Sequence, residues 1–67
     1  MKHGARNQLT GTVTAITRGG VMCLVKVKTK AGPMASVMTT DSLDDLRLRV
    51  GERVHIIVKA VNVLLAK

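Results

Sequence analysis

From Leu9 onward apolar and polar residues alternate, with Leu9, Gly11, Val13 and Ala15 on one side and Thr10, Thr12 and Thr14 on the other. This is the two-residue period of a half-buried strand rich in β-branched residues. Arg18-Gly19-Gly20 reads as a turn. The next run places Val21, Cys23, Val25 and Val27 on one face and Met22, Leu24, Lys26, Lys28 and Lys30 on the other. Its start is apolar on both faces, so it is covered on two sides within the fold or buried against another subunit. Lys30-Ala31-Gly32-Pro33 supplies the next turn, and a third strand from Met34 to Thr39 or Thr40 completes a meander.

The character changes after Thr40. Ser42 followed by Asp45 approximates a capping box, Asp44 and Asp45 suit the positive end of a helix, and Leu43 and Leu46 share one face. A short helix is therefore expected, with Arg47 and Arg49 near its negative pole and Val50-Gly51-Glu52 as the exit turn. Val54, Ile56 and Val58 then alternate with Arg53, His55, Ile57 and Lys59, and Val61-Asn62-Val63-Leu64-Leu65 offers a last short strand. Three strands, a short helix and two strands form the element order of an all-β, five-stranded OB-type Greek-key barrel, the helix lying between strands 3 and 4. An SH3-like barrel is the main competitor.

Size and charge narrow the function. The chain has 67 residues, 46% of them hydrophobic and one of them Pro, which excludes a disordered basic tail and predicts one domain over residues 1–67. A domain this small commonly gains robustness from metal, disulfides or self-association. Cys23 stands alone, without a partner for an internal disulfide, in the apolar run from Val21 to Val25. A reducing, cytoplasmic compartment is expected, and no run of about 18 apolar residues suggests a membrane span. The 11 Lys and Arg against 4 Asp and Glu give a net charge of +7, which points to an anionic partner. With 0% aromatic residues the chain lacks the stacking platforms of single-strand binders. A phosphate-tracking surface stays open, and a basic OB-like nucleic-acid-binding module is the alternative reading.

No catalytic pattern is visible. His3 and His55 lack an acidic partner at ligand spacing, one Cys completes no zinc motif, and Asp41, Asp44 and Asp45 suit capping. Donors for an oxyanion gather instead in three places: Gly4-Ala5-Arg6-Asn7, Thr39-Thr40-Asp41-Ser42 and Val58-Lys59-Ala60-Val61. Each has a simpler explanation as a frayed terminus, a helix cap or a snorkelling lysine.

Ala5-Arg6-Asn7-Gln8-Leu9 with Gly11 soon after, Thr39-Thr40-Asp41-Ser42, Val50-Gly51, and Val58-Lys59-Ala60 followed by Val63 resemble the Mop family. These molbindins are small cytoplasmic molybdate- and tungstate-binding proteins of the TOBE-domain class. The resemblance runs from about Gly4 to Ala66. It implies an OB-type barrel that assembles as a homo-oligomer, commonly a hexamer, and holds molybdate or tungstate between subunits without an organic cofactor, a bare metal cation or catalysis. It further implies anion contacts at Ala5, Arg6, Asn7, Thr39, Ser42, Lys59 and Ala60, and a role in storage, buffering or delivery. Nucleic acid and membranes are then not expected as partners. Family members often carry Ser where this chain has Gly4 and Ala60, so two hydroxyl donors are absent. At about 0.5–1.5 kcal/mol net per neutral hydrogen bond, that loss weakens one class of site roughly tenfold or more.

Overall fold

The computed structural model describes residues 7–67. Strands β1 (Asn7–Arg18), β2 (Met22–Thr29) and β3 (Gly32–Thr39) lead into helix α1 (Thr40–Leu46), and strand β4 (Arg53–Val58) precedes a 3-10 turn at Ala60–Asn62. All pairings are antiparallel and the strand order is β3-β2-β1-β4. A meander whose fourth strand returns beside the first is the Greek-key arrangement. The mainly-β class and the helix between strands 3 and 4 are as the sequence pattern indicates.

Strand β1 organises the sheet. It pairs with β4 from Asn7 to Thr12 and with β2 from Gly11 to Arg18, so different portions of one strand serve two neighbours. The register breaks between Val13 and Ala15, leaving Thr14 as an extra residue. Such a bulge bends its strand and raises the local twist, which helps a short sheet curl. It also changes the side-chain phase. Val13 is buried and Ile16 packs against the core, whereas uninterrupted alternation assigns that side to Ala15. Beyond the bulge, the backbone N–H of Val13 donates to Glu52 O at 2.9 Å, and Gly51 N–H donates to Val13 O at 2.7 Å. The exit turn before β4 is thereby fastened to β1. Gly51 has φ +91, a conformation that costs a glycine little.

The core is narrow and aliphatic. Val13, Val25 and Leu43 are each 1% exposed, with Cys23 and Val27 beside them and Ile16, Met38, Leu48, Val54 and Ile56 packed around. Burying a valine or leucine side chain contributes about 1.5–3 kcal/mol. Inward positions on β2 follow the expected alternation through Cys23, Val25, Val27 and Thr29. Thr29 is satisfied within its turn, its hydroxyl donating to Gly32 O at 2.8 Å and accepting Ala31 N–H at 3.1 Å. Strand β3 starts at Gly32, so Pro33 lies inside it, acceptable because β3 is an edge strand.

Besides the phase change at Thr14, three sequence expectations need correction. Helix α1 is capped by Thr39 rather than Ser42, because the Thr39 hydroxyl accepts the Ser42 N–H at 3.1 Å. Leu46 does not share the buried face of Leu43. The chain leaves the helix through Arg47 in the left-handed conformation, φ 54, which leaves Leu46 61% exposed and lets Leu48 pack on the core instead. The fifth strand of the expected barrel is absent: Val61 and Asn62 belong to the 3-10 turn, and Val63–Leu65 have no regular structure. Neither edge strand of this chain pairs with them, and Leu64 and Leu65 are more than 90% exposed.

Candidate functional site

The hydroxyl cluster forms at the junction of β3 and α1. Thr39 ends the strand with extended dihedrals, φ −69 and ψ 151, which turns its side chain back over the first helical turn as an N-cap requires. Its Oγ1 accepts the Ser42 N–H and donates to Ser42 Oγ at 2.9 Å. Ser42 Oγ is the acceptor in that bond, so its own proton stays available to an anion. Asp41, in the first turn, favours the positive helix end electrostatically.

Neighbouring contacts fix this junction. Thr40 N–H donates to Val21 O at 2.8 Å, and the Thr40 hydroxyl donates to Gly19 O at 3.2 Å while lying 3.3 Å from Cys23 Sγ. Arg18 reaches Asp44 at 3.0 Å, an ion pair whose side chains are both more than half exposed. These contacts tie the helix start to the β1–β2 turn. The sequence pattern did not single out this use of Thr40, although a Thr between a cap and a helix is a legible signal for such back-bonding.

Lys59 and Ala60 lie elsewhere. Lys59 follows β4 in extended conformation, φ −69 and ψ 140, and its carbonyl accepts Asn62 N–H at 2.9 Å. Ala60 opens the 3-10 turn, its carbonyl accepting Val63 N–H at 3.2 Å. Both residues are exposed. Asn7 begins β1 opposite Val58, so the backbone at the start of β1 lies beside the segment that carries Lys59 and Ala60. Ala5 and Arg6 lie outside the described residues.

Thus the structure groups the expected site residues in two sets and separates the sets. Thr39 and Ser42 belong to the end of the sheet where Met22 pairs with Thr39 and Arg18 with Cys23. Asn7, Lys59 and Ala60 belong to the opposite end of β1. That 12-residue strand, rising about 3.3 Å per residue, runs along a molecule whose longest extent is 34 Å. Among the described residues no group of three or more His, Cys, Asp or Glu could hold a metal ion, and no helix is long and apolar enough to cross a membrane.

A separate hollow of about 530 Å³ opens beside Thr14, Lys26, Lys28, Pro33, Met34 and Ala35. Its lysines were visible in the sequence as the polar half of a strand; its shape was not, because it depends on small residues of β3 standing opposite them.

Comparison with known proteins places the chain. The TOBE domain model matches residues 4–65. The ModE molybdenum transport protein of Azotobacter vinelandii is 39% identical over 97% of this chain, which spans about a quarter, 24%, of that relative's length. A probable molybdenum-pterin-binding protein of Haemophilus influenzae is 35% identical over 96% of this chain and 94% of its own. Among solved structures, a molybdate binding protein from Sporomusa ovata superposes with a TM-score of 0.94 at 36% identity, over 100% of both chains. With a matching family model over most of its length and a small relative aligned nearly end to end, this chain belongs to the TOBE-domain family, alongside its Mop-like members.

Proposed function

We propose that this chain is a non-catalytic, intracellular binder of molybdate or tungstate, holding the oxyanion at interfaces of a homo-oligomer and serving as a store or buffer. The observation that carries the reading is the separation of the donor sets. Ser42, oriented by its bonds to Thr39, supplies a hydroxyl donor at one end of β1, and Lys59 supplies positive charge at the other. A tetrahedral dianion is held more tightly where a cationic group joins the hydroxyl donors around it, because hydrogen bonds between ionised partners are the stronger ones. One copy cannot bring them together along the length of a 12-residue strand, whereas the end of one protomer set against the opposite end of a neighbour can. Arg6 with the amides of Ala5, Asn7 and Ala60 completes the contact set in this reading.

The apolar surface agrees with association. Val21, Met22 and Val37 are 74%, 46% and 64% exposed, and Val61, Leu64 and Leu65 more so. In water such area favours burial by about 25 cal/mol per Å². The oligomer, a hexamer in this proposal, therefore forms the site and covers the surface in the same step.

Calorimetry with molybdate, tungstate and sulfate tests the reading, alongside native mass spectrometry to count subunits and retained anions. Molybdate or tungstate should bind to an oligomer, and Lys59→Ala should weaken binding at least tenfold while Thr14→Ala leaves it unchanged. Absence of heat with all three anions, or equal affinities in the two variants, would reject it.

A further inference from the structure

The outward face of the sheet is divided along β2. Because alternate residues of a strand point to opposite sides, Met22, Leu24, Lys26 and Lys28 share the side away from Cys23, Val25 and Val27. Lys30 continues the series in the turn. Register carries the pattern across the sheet: Lys28 stands opposite Thr12, and Thr12 stands opposite Arg53, so these three residues form a row across β2, β1 and β4. Thr10 and His55 pair in the next row, and the Thr10 hydroxyl lies 3.4 Å from the Arg53 guanidinium. The basic side chains of both rows are exposed.

None of the chain's four acidic residues shares this surface. Asp41 and Asp45 lie in α1, beyond the other end of β2, and Asp44 of the same helix is paired with Arg18. The Glu52 carboxylate accepts the Arg49 N–H at 3.0 Å within the exit turn. Lys26, Lys28 and Arg53 have no ion-pair partner among the described residues. A successive lysine occurs about every 6.7 Å along the strand, and Lys28 and Arg53 are about 10 Å apart across two strand spacings. Between Lys28 and Arg53 stands Thr12, and Thr10 lies within reach of the Arg53 guanidinium.

We propose that this face is a docking surface for the phosphate backbone of duplex nucleic acid. Charge complementarity favours that occupant. The surface offers regularly spaced cations flanked by hydroxyl donors, the group types that contact phosphates without reading bases. Free of aromatic residues, the chain has nothing on which unpaired bases would stack, which favours a duplex over a single strand. The interleaved residues Thr10, Thr12 and Thr14 are not the apolar anchors that a membrane surface engages. The docking is sequence-independent and uses none of Thr39, Ser42 and Lys59, so it stands apart from the oxyanion reading.

Fluorescence anisotropy of a labelled 20-base-pair DNA of arbitrary sequence, titrated with the intact oligomer between 25 and 200 mM salt, tests it. With Lys26, Lys28, Lys30 and Arg53 each contacting a phosphate, the logarithm of the association constant should fall with that of salt at a slope of about −3.6. Lys28→Gln and Arg53→Gln should each reduce the slope by about 0.9, and Arg49→Gln should leave it unchanged. Unaltered thermal midpoints, subunit counts and molybdate titrations in these variants would separate lost docking from lost folding, assembly or oxyanion binding. The proposal is overturned by no binding at 25 mM salt, by slopes indifferent to Lys28 and Arg53, by tighter binding of an acidic peptide or phosphatidylserine vesicles than of the duplex, or by a changed subunit count showing that a second copy occupies the face.

Discussion

The two halves of β2 share an inward face and differ on the outside. At one end Met22 and Leu24 continue into exposed Val37 and the helix junction; at the other Lys26 and Lys28 stand over the turn to β3. Inside, Cys23, Val25 and Val27 bury an unbroken row. The difference teaches that the core specifies one continuous fold, while the outer surface carries two chemistries: exposed apolar side chains at one end and lysines at the other. On a domain this small, exposed apolar side chains of that kind leave burial incomplete within the single chain.

The largest expected effect breaks the shared core. Leu43→Ala should destabilise the protein by about 2–5 kcal/mol, measured by urea unfolding, because Leu43 anchors α1 and is 1% exposed. The same experiment on Lys26→Ala should show little change, sharpening the contrast between the two faces of the strand. Next comes assembly. Met22→Asp should shift the sedimentation profile toward smaller species at micromolar concentration by weakening association at least tenfold, while Lys28→Gln should leave it as in the parent. A smaller loss follows from the cap: Thr39→Ala should cost about 1 kcal/mol in thermal or chemical unfolding, with Thr39→Ser restoring most of it. The smallest concerns Arg18→Ala. Its ion pair with Asp44 is largely exposed, so removal should change stability by about 0–1 kcal/mol and less at high salt.

Much of the architecture is legible in the sequence because strands with one buried face advertise it. The alternation through Val25 and Val27 and through Val54 and Ile56 matches the inward positions, and glycine-containing turns separate the strands. The bulge at Thr14 escaped because Val13-Thr14-Ala15-Ile16 reads equally well in either phase; only pairing with Val27 and Lys26 decides between them. Val61–Leu65 has the composition of a strand but no ladder partner among the described residues. Apolar composition states that a segment favours burial and says nothing about which molecule supplies the cover. For the same reason Thr39 and Ser42 could be paired from their spacing as one local unit, while the distance separating them from Lys59 needed the register of β1.

Gly11 carries a further consequence. A Cβ placed there would fall 2.6 Å from Val27 Cγ1, 2.9 Å from Lys28 O and 3.2 Å from Ile56 Cδ1. A bare backbone at this crossing lets the sheet fold tightly enough for residues of β2 and β4 to meet over β1. Even an added methyl group would wedge the curve open and pull β2 and β4 apart over β1.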